Sequence, residues 1–590
     1  MPRAHPIQNQ FTAGEVSPKM YARIDLDQYR QGARSLDNML PLPHGGLERR
    51  AGTRFVAEVK DSDHGPRIMP FEFGVEQAYV IELGRDGGSG YMRFFRDQGQ
   101  ILDGGNPVEI SSPPWLESEL FEVMFAQSAD VMYFAHPGHV PKTLTRSSHT
   151  NWTLADFVAA DMRKPDPDFN AADNYPGAVT FFAQRLCWAS TNANPQTIWL
   201  SAVDDYTNLL AGTNPDDAFK ATPASPRVNN GRWLLGADGL FFGTAGRAWR
   251  VDTAEPTPVN FPFTPLASTG VAYRRPIEID NRVLFLSRYG KPANDGRRLY
   301  ELRFDVDEDE YTPDDISIIS EHLTCAGVVD MAWQEQPNRV LWVVCADGKL
   351  VSVTYYPRQR VIAWAPHPIG GADAFVESVA VIPGASGDEV WLVVRRTING
   401  VTKRYVEVID PTPAPNNIYV DSAIVGGVGG GSPTDAWAGL DHLEGETVSV
   451  LADNAPAGDF VVSGGQIVLP TPASDVVIGL TCPWKVEPLN LEAGAADGTA
   501  QGRKKSISRI VLRLLDSGGV NMSAKVGVAG KEIPFREVAD LMDTPVPLFT
   551  GDITVRVPSG WDEAGRVILD GDAPLPVSII AIIPRVETND

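Results

Sequence analysis

Residues 339–356 read RVLWVVCADGKLVSVTYY, two runs of β-branched and aromatic residues on either side of Ala346-Asp347-Gly348-Lys349. A tight hairpin loop needs positive φ at its centre, and Asp-Gly supplies it at low cost, so the stretch predicts an antiparallel hairpin. The same punctuation recurs at Asp238-Gly239, between RWLLGA and LFFGT, and at Asn399-Gly400, between EVWLVVRRT and VTKRYVEVI. Comparable apolar runs lie at Tyr79–Leu83, Val131–Ala135, Thr180–Ala189, Leu240–Thr244, Arg282–Arg288, Arg339–Cys345 and Glu389–Arg395. Their starts are 42 to 60 residues apart, close to the roughly 40–50 residues that one four-stranded propeller blade occupies. The expected fold class is therefore all-β, with a β-propeller-like central domain, an N-terminal docking arm and a C-terminal β-rich domain. A string of separate sandwiches would give longer spacing and clearer linkers.

Composition agrees with short elements. The 590 residues include 54 Gly and 47 Pro, so roughly one residue in six breaks regular structure, against about one in eight in average chains. A long helical bundle is excluded, while 43% hydrophobic residues and 13 Trp are ample for large cores. The net charge of −24 repels phosphate and disfavours DNA binding by the body of the protein. Four widely spaced cysteines, Cys187, Cys325, Cys345 and Cys482, form no CxxC pair and read as reduced thiols of a protein made in a cytosol. The opening MPRAHPIQNQF lacks the apolar core of a secretory signal. The most apolar stretch, VSIIAII at 577–583, is too short to span a bilayer and reads as a buried strand.

Two boundaries are expected. One falls near residue 65, separating an N-terminal arm (1–65) from the repeated units (66–415). The other is the Gly/Pro-rich stretch 416–435, beyond which TVSVLAD, DFVVSGGQIVL, DVVIGLT and SISRIVLRLL read as strands of a C-terminal domain (436–590). In the arm, Tyr29, Ala33, Leu36 and Leu40 have helical spacing, which makes IDLDQYRQGARSLDNML the best helix candidate.

Catalytic signatures are absent: there is no GxxxxGK[ST], HExxH, GxSxG or strand-linked GxGxxG. No catalytic, metal or cofactor-binding residue is assigned, and the expectation is a protein without enzymatic activity or cofactor. The glycine run 426–431 has no following Lys and reads as a loop. The acidic run Asp305, Asp307, Glu308, Asp309, Glu310, Asp314, Asp315 has Glu310 where a calcium loop needs Gly and Ile316 where it needs Glu, and reads as a solvated loop. His136 and His139 in HPGH could ligate a metal, but no third ligand is evident nearby in sequence. Trp333, Trp342, Trp364 and Trp391 sit in strand patterns and read as core.

The first 60 residues stand apart, with nine Lys/Arg against six Asp/Glu in an otherwise acidic chain. They concentrate Phe11, Gly14, Glu15, Ser17, Pro18, Arg23, Asp25, Tyr29, Gly32, Asn38, Gly45, Arg49, Arg50 and Gly52. Such a mixed-charge, Gly/Pro-punctuated segment suits docking on a neighbouring subunit, and these fourteen are the candidate docking residues.

The segment FTAGEVSPKMYARIDLDQYRQGARSLDNMLPLPHGGLERRAGTRFV (11–56) resembles the start of tail proteins of short-tailed bacteriophages, whose pattern runs F-x-x-GE-x-SP, R-x-D, Y-x-x-G, N and G-x-x-RR-x-GT-x-F. Segments 127–146, 175–191, 336–364, 388–407 and 442–453 extend the resemblance, in order, over most of the chain. The family is similar to the tail nozzle, or tail tubular protein B. That resemblance implies a virion subunit, assembled in the host bacterial cytoplasm, that forms a homo-oligomeric ring, a hexamer. It implies contacts with the tail adaptor ring and with tail fibres or spikes, and a lumen that passes viral DNA without specific binding. The alternative is a receptor-binding or glycan-cleaving β-propeller of the phage tail. On the docking-arm reading, deleting residues 1–35 would abolish assembly and leave the β domains folded.

Overall fold

The decisive hairpin is present. VLWVVC forms strand Val340–Cys345, buried at every position, and pairs antiparallel with Leu350–Tyr356 in a register that sets Val343 opposite Val351. Gly348 takes the positive φ, +79°, that the turn requires. The computed structural model describes all residues except 1–2, 158–172, 267, 289–294, 306, 308, 415, 428–430, 493–498, 539, 543, 558–559 and 590. The regular structure of the described chain is almost all β, with only short helical turns besides, and the chain divides into two units, His64–Ala332 and a second one joining Met1–Asp63 to Trp333–Asp590.

The unit His64–Ala332 is built from consecutive antiparallel sheets. The first comprises Arg67–Gly74, Gln77–Asp86, Ser89–Arg96 and Gly99–Gln100, with Glu109–Ser111 added on Ser89–Arg96. Four sheets of four strands follow, beginning at Met124, Ala178, Gly231 and Ile277, each a meander in chain order. The first strands of the second, third and fourth sheets pack side by side, so these meanders are propeller-like blades. The core lies between sheets. One cluster joins Met124, Leu186, Trp188, Trp233, Phe285 and Leu302 from four successive sheets, and another joins Phe71, Ile81, Phe94, Phe134 and Trp152 from the first two. Stacking one sheet on the next removes both apolar faces of its inner strands from water, at about 25 cal/mol per Å2.

The unit formed by 1–63 and 333–590 is a set of larger sheets sharing strands from both ends of the chain. Gly14–Glu15 runs parallel to Gly32–Asp37 and meets Trp364 of Val361–His367, while Gly32–Asp37 pairs antiparallel with Trp484–Pro488. Met39–Pro41 and Leu47–Arg49 form a hairpin whose Leu47 lies opposite Ile579 of the strand Ser578–Asn589. Thr53–Glu58 pairs antiparallel with Val401–Ile409, and Arg54 lies opposite Ala423. VSIIAII is indeed largely buried strand.

Three expectations differ from this structure. The helix candidate contributes only Asp27–Gln31; Gly32 is extended (φ −105°, ψ 167°), and the chain continues as strand because Ala33 and Leu36 are buried in a ladder with 485–488. Residues 1–63 are not an arm beside the body: their strands supply members of three sheets. Nor does a separate C-terminal domain begin at 436, since Lys504–Ser517 and Ser578–Asn589 share a sheet with Leu47–Arg49. The division falls at 63/64 and 332/333. Residues 428–430 of the glycine run and Glu308 of the acidic run lie outside the described residues. Asp305, Asp307, Asp309 and Glu310 flank or occupy the turn between Leu299–Asp305 and Glu310–Asp315, while Asp314 and Asp315 lie at the far end of the second strand, with Arg303 within 2.8 Å of Asp314.

Candidate functional site

Of the fourteen candidate docking residues, eleven are buried: Phe11, Gly14, Glu15, Ser17, Tyr29, Gly32, Asn38, Gly45, Arg49, Arg50 and Gly52. Pro18, Arg23 and Asp25 are exposed. Side chains that lie inside their own unit cannot meet a neighbouring subunit, so the segment's special residues serve its own fold, and only the three exposed ones are placed to touch a partner.

The buried set surrounds a polar network. Arg50 and Asp421, both fully buried, pair at 3.0 and 3.2 Å, and Arg50 Nε donates to Asn38 Oδ1 at 3.0 Å. Asp421 also accepts from the backbone N–H of Thr53 (3.1 Å) and Gly370 (2.8 Å). Burial alone would raise the Asp421 pKa, but Arg50 and these hydrogen bonds outweigh it and hold the carboxyl below its usual range. Burial likewise opposes the charge on Arg50, and Asp421 reverses that effect and pushes its pKa up. Arg49 has no carboxylate partner among its hydrogen bonds and donates instead to the carbonyls of Ala573 (2.6 Å), Leu575 (2.7 Å) and Cys482. Burial lowers its pKa. Beside them Thr53 Oγ1 donates to Glu407 Oε2 at 2.6 Å, and Glu407 pairs with the buried Arg396. Asn38 Nδ2 bridges the carbonyls of Pro368 (2.8 Å) and Pro483 (2.7 Å). Residues distant in sequence are thus locked to 38–53.

Two glycines are required by close approach. A Cβ at Gly14, where φ is +67°, would lie 2.3 Å from Trp364 N, and one at Gly52 would lie 1.9 Å from Val420 O. Glu15 Oε2 accepts from Leu36 N–H at 2.9 Å, Tyr29 Oη donates to Asn490 O at 2.9 Å, and Ser17 caps the turn Pro18–Met20. Arg23 and Asp25 form a two-pronged pair at 2.8 Å with side chains 51% and 61% exposed.

The unit His64–Ala332 holds a cavity of about 250 Å3 between the first strands of its second, third and fourth blades, walled by Met124–Gln127, Val179–Phe181, Leu234–Gly236, Arg275 and Pro276. None of these residues is a carboxylate, so this cavity does not offer the paired acids that glycoside hydrolysis uses. Trp342, Trp364 and Trp391 are core, as their strand setting implied; Trp333 is half-buried, with Arg339 5.3 Å above its ring.

Sequence reading missed the third partner of the HPGH histidines. His136 and His139 are direct cross-strand neighbours, and Glu119, from the 3-10 turn Glu117–Glu122, lies 2.7 Å from His139 Nε2. Ligand atoms of Glu119, His136 and His139 all fall within 4.8 Å of one another. A carboxylate seventeen residues upstream on a turn without periodicity leaves no local signal; a contact between that turn and the hairpin tip brings it in.

No model of a known protein family matches the sequence, and no curated protein does. The chain is similar to the solved structure of U3-55K at 9% identity and a TM-score of 0.36, over 61% of this chain and 100% of that one. It is also similar to the Pan2 WD40 domain of Neurospora crassa, at 10% identity and a TM-score of 0.33, over 62% and 90% of the respective chains.

Proposed function

We propose that this chain is a structural subunit of a bacteriophage tail, forming a nozzle ring that docks on the tail adaptor and encloses the channel through which DNA leaves. The observation that carries the reading is the ordered resemblance of 11–56 and five later segments to tail nozzle proteins. Other features support it. A conduit should not grip its cargo, and a net charge of −24 raises the free energy of phosphate contact. A cyclic ring joined head to tail needs two different patches on each subunit, each complementary to the other and not to itself. Two candidates are the exposed Pro18, Arg23 and Asp25, and the apolar residues Val538, Leu541 and Met542, which face solvent at 107%, 67% and 85% exposure.

Electron-microscope images of the purified protein mixed with its tail partners test this reading. An axial ring at the tail tip is the expected result. Particles that stay monomeric, or turnover of host polysaccharide by the isolated chain, would replace it with the receptor-binding or glycan-cleaving alternative.

A further inference from the structure

We propose that Glu119, His136 and His139, with Glu122 beside them, form a binding site for a divalent transition-metal cation such as Zn2+ that clamps a blade's hairpin tip to the turn preceding it. Two local geometries create the cluster. In a 3-10 turn, residues three apart eclipse, so Glu119 and Glu122 project from one side of Glu117–Glu122. In the hairpin Val131–His136/His139–Arg146, the Pro137-Gly138 turn leaves His136 and His139 directly opposite one another, with ring centroids 5.0 Å apart.

The donor set suits such a cation. Two imidazoles and a carboxylate match zinc and its neighbours and are a poor choice for the hard cations Mg2+ and Ca2+, which take oxygen ligands. Glu119 is already oriented, because Leu116 N–H donates to its Oε2 at 2.8 Å. The backbone thus plays the outer-shell role that fixes ligating carboxylates.

An independent observation points to a ligand. His136 is only 5% exposed, yet its Nε2 has no hydrogen-bond partner; Glu122 Oε2 is 3.9 Å away, beyond hydrogen-bond reach. An unmet imidazole nitrogen in a buried position costs free energy that a cation held between it and the carboxylates would recover. His136 Nδ1 accepts from Gly138 N–H at 3.1 Å, so the metal-free neutral ring carries its proton on Nε2. Metal binding through Nε2 moves that proton to Nδ1 and releases the Gly138 contact, a small adjustment in a two-residue turn. Between His139 and Glu119 the cation takes the place of the shared hydrogen of the 2.7 Å bond, and that proton passes to His139 Nδ1, so the ring stays neutral when bound.

The test is titration of the full chain, stripped with a chelator, with Zn2+ alone, followed by calorimetry and thermal unfolding. The expected result is one tight equivalent that raises the unfolding temperature, and visible absorption of a low-symmetry site when Co2+ is used instead. The chain has nine histidines, so the comparison with variants decides. His139→Ala and the shape-conserving Glu119→Gln should each weaken that equivalent by more than the roughly tenfold that losing an outer-shell partner costs. Circular dichroism of the metal-free variants confirms that both remain folded. No tight equivalent in the parent chain, an equivalent undiminished in both variants, or equal binding of Mg2+ would overturn the proposal.

Discussion

At the scale of single residues, the centre of gravity is Asp421. It neutralises Arg50, accepts from two backbone N–H groups and is fully buried. Asp421→Asn leaves Arg50 charged and uncompensated, and removing one partner of a buried pair costs about 3–5 kcal/mol. Denaturant unfolding should show that loss in the transition of the 1–63/333–590 unit; a change under 1 kcal/mol would mean the pair is not what holds the network. His367 sits nearby, its Nε2 2.7 Å from Ser352 Oγ. Burial, and then the charge on Arg50, push its pKa well below the usual histidine value. The unfolded chain therefore binds the proton more readily, and stability falls as pH drops below about 6.5. Asp421 acts at lower pH: its depressed pKa contributes stability above the unfolded carboxylate value that is lost as pH falls through the folded one. His367→Gln should flatten the dependence of the unfolding midpoint on pH between 7 and 5, while an unchanged slope would assign that dependence to other groups. None of this was legible beforehand. Arg49 and Arg50 stand out in sequence only as an Arg-Arg pair, and a basic pair is ordinarily a surface feature. What buries it is a carboxylate some 370 residues away.

At the scale of elements, the sequence was most legible where a strand has neighbours on both sides. The runs at Tyr79, Val131, Leu240, Arg282 and Glu389 fall in the second strand of successive sheets, and that at Thr180 spans the first and second. A central strand packed on both faces has no solvent side to carry polar alternation, so it reads as continuous apolar sequence. Short outer strands such as Phe219–Ala221 and Phe263–Pro265 carry no such run. Several turns were also silent because Ala183-Gln184, Asp97-Gln98 and Asp453-Asn454 adopt positive φ at both positions without glycine. Glycine itself has two uses here, and mutation separates them. Gly400, φ +76° in the hairpin turn with Asn399, has open space where a Cβ would go, so Gly400→Ala should cost only the conformational penalty of about 1–2 kcal/mol. Gly14, φ +67°, adds a 2.3 Å clash with the Trp364 backbone, so Gly14→Ala should cost clearly more. Thermal melts of the two variants give the comparison, and equal losses would mean that the strand at Gly14 shifts freely.

At the scale of the whole molecule, the two ends of the chain build one unit and the middle builds the other. The core containing Phe11, Ala33, Leu36, Met39 and Leu47 is completed by Trp484, Ile510, Leu512, Ile579 and Ile582, whereas the blades of 64–332 draw their clusters from their own strands. This changes what truncation can report. Deleting residues 1–35 removes Phe11, the pairing of Gly14 with Trp364 and the Gly32–Ala33 end of a ladder, and it leaves an apolar surface on what remains. The expected outcome is that 333–590 becomes sensitive to protease and its unfolding transition is lost, while a fragment spanning 64–332 survives digestion. Failure of such a truncation to assemble would then reflect unfolding and not the loss of a docking surface. Surface variants carry the docking question instead. Arg23→Glu combined with Asp25→Arg inverts an exposed ion pair, which contributes little to stability. If the chain forms the proposed ring and residues 18–25 contact a neighbour in it, the double variant should melt like the parent chain and yet fail to form rings on the same grids. Normal rings from the double variant, with the truncation unfolded, would move the subunit contact to the exposed apolar segment around Val538, Leu541 and Met542.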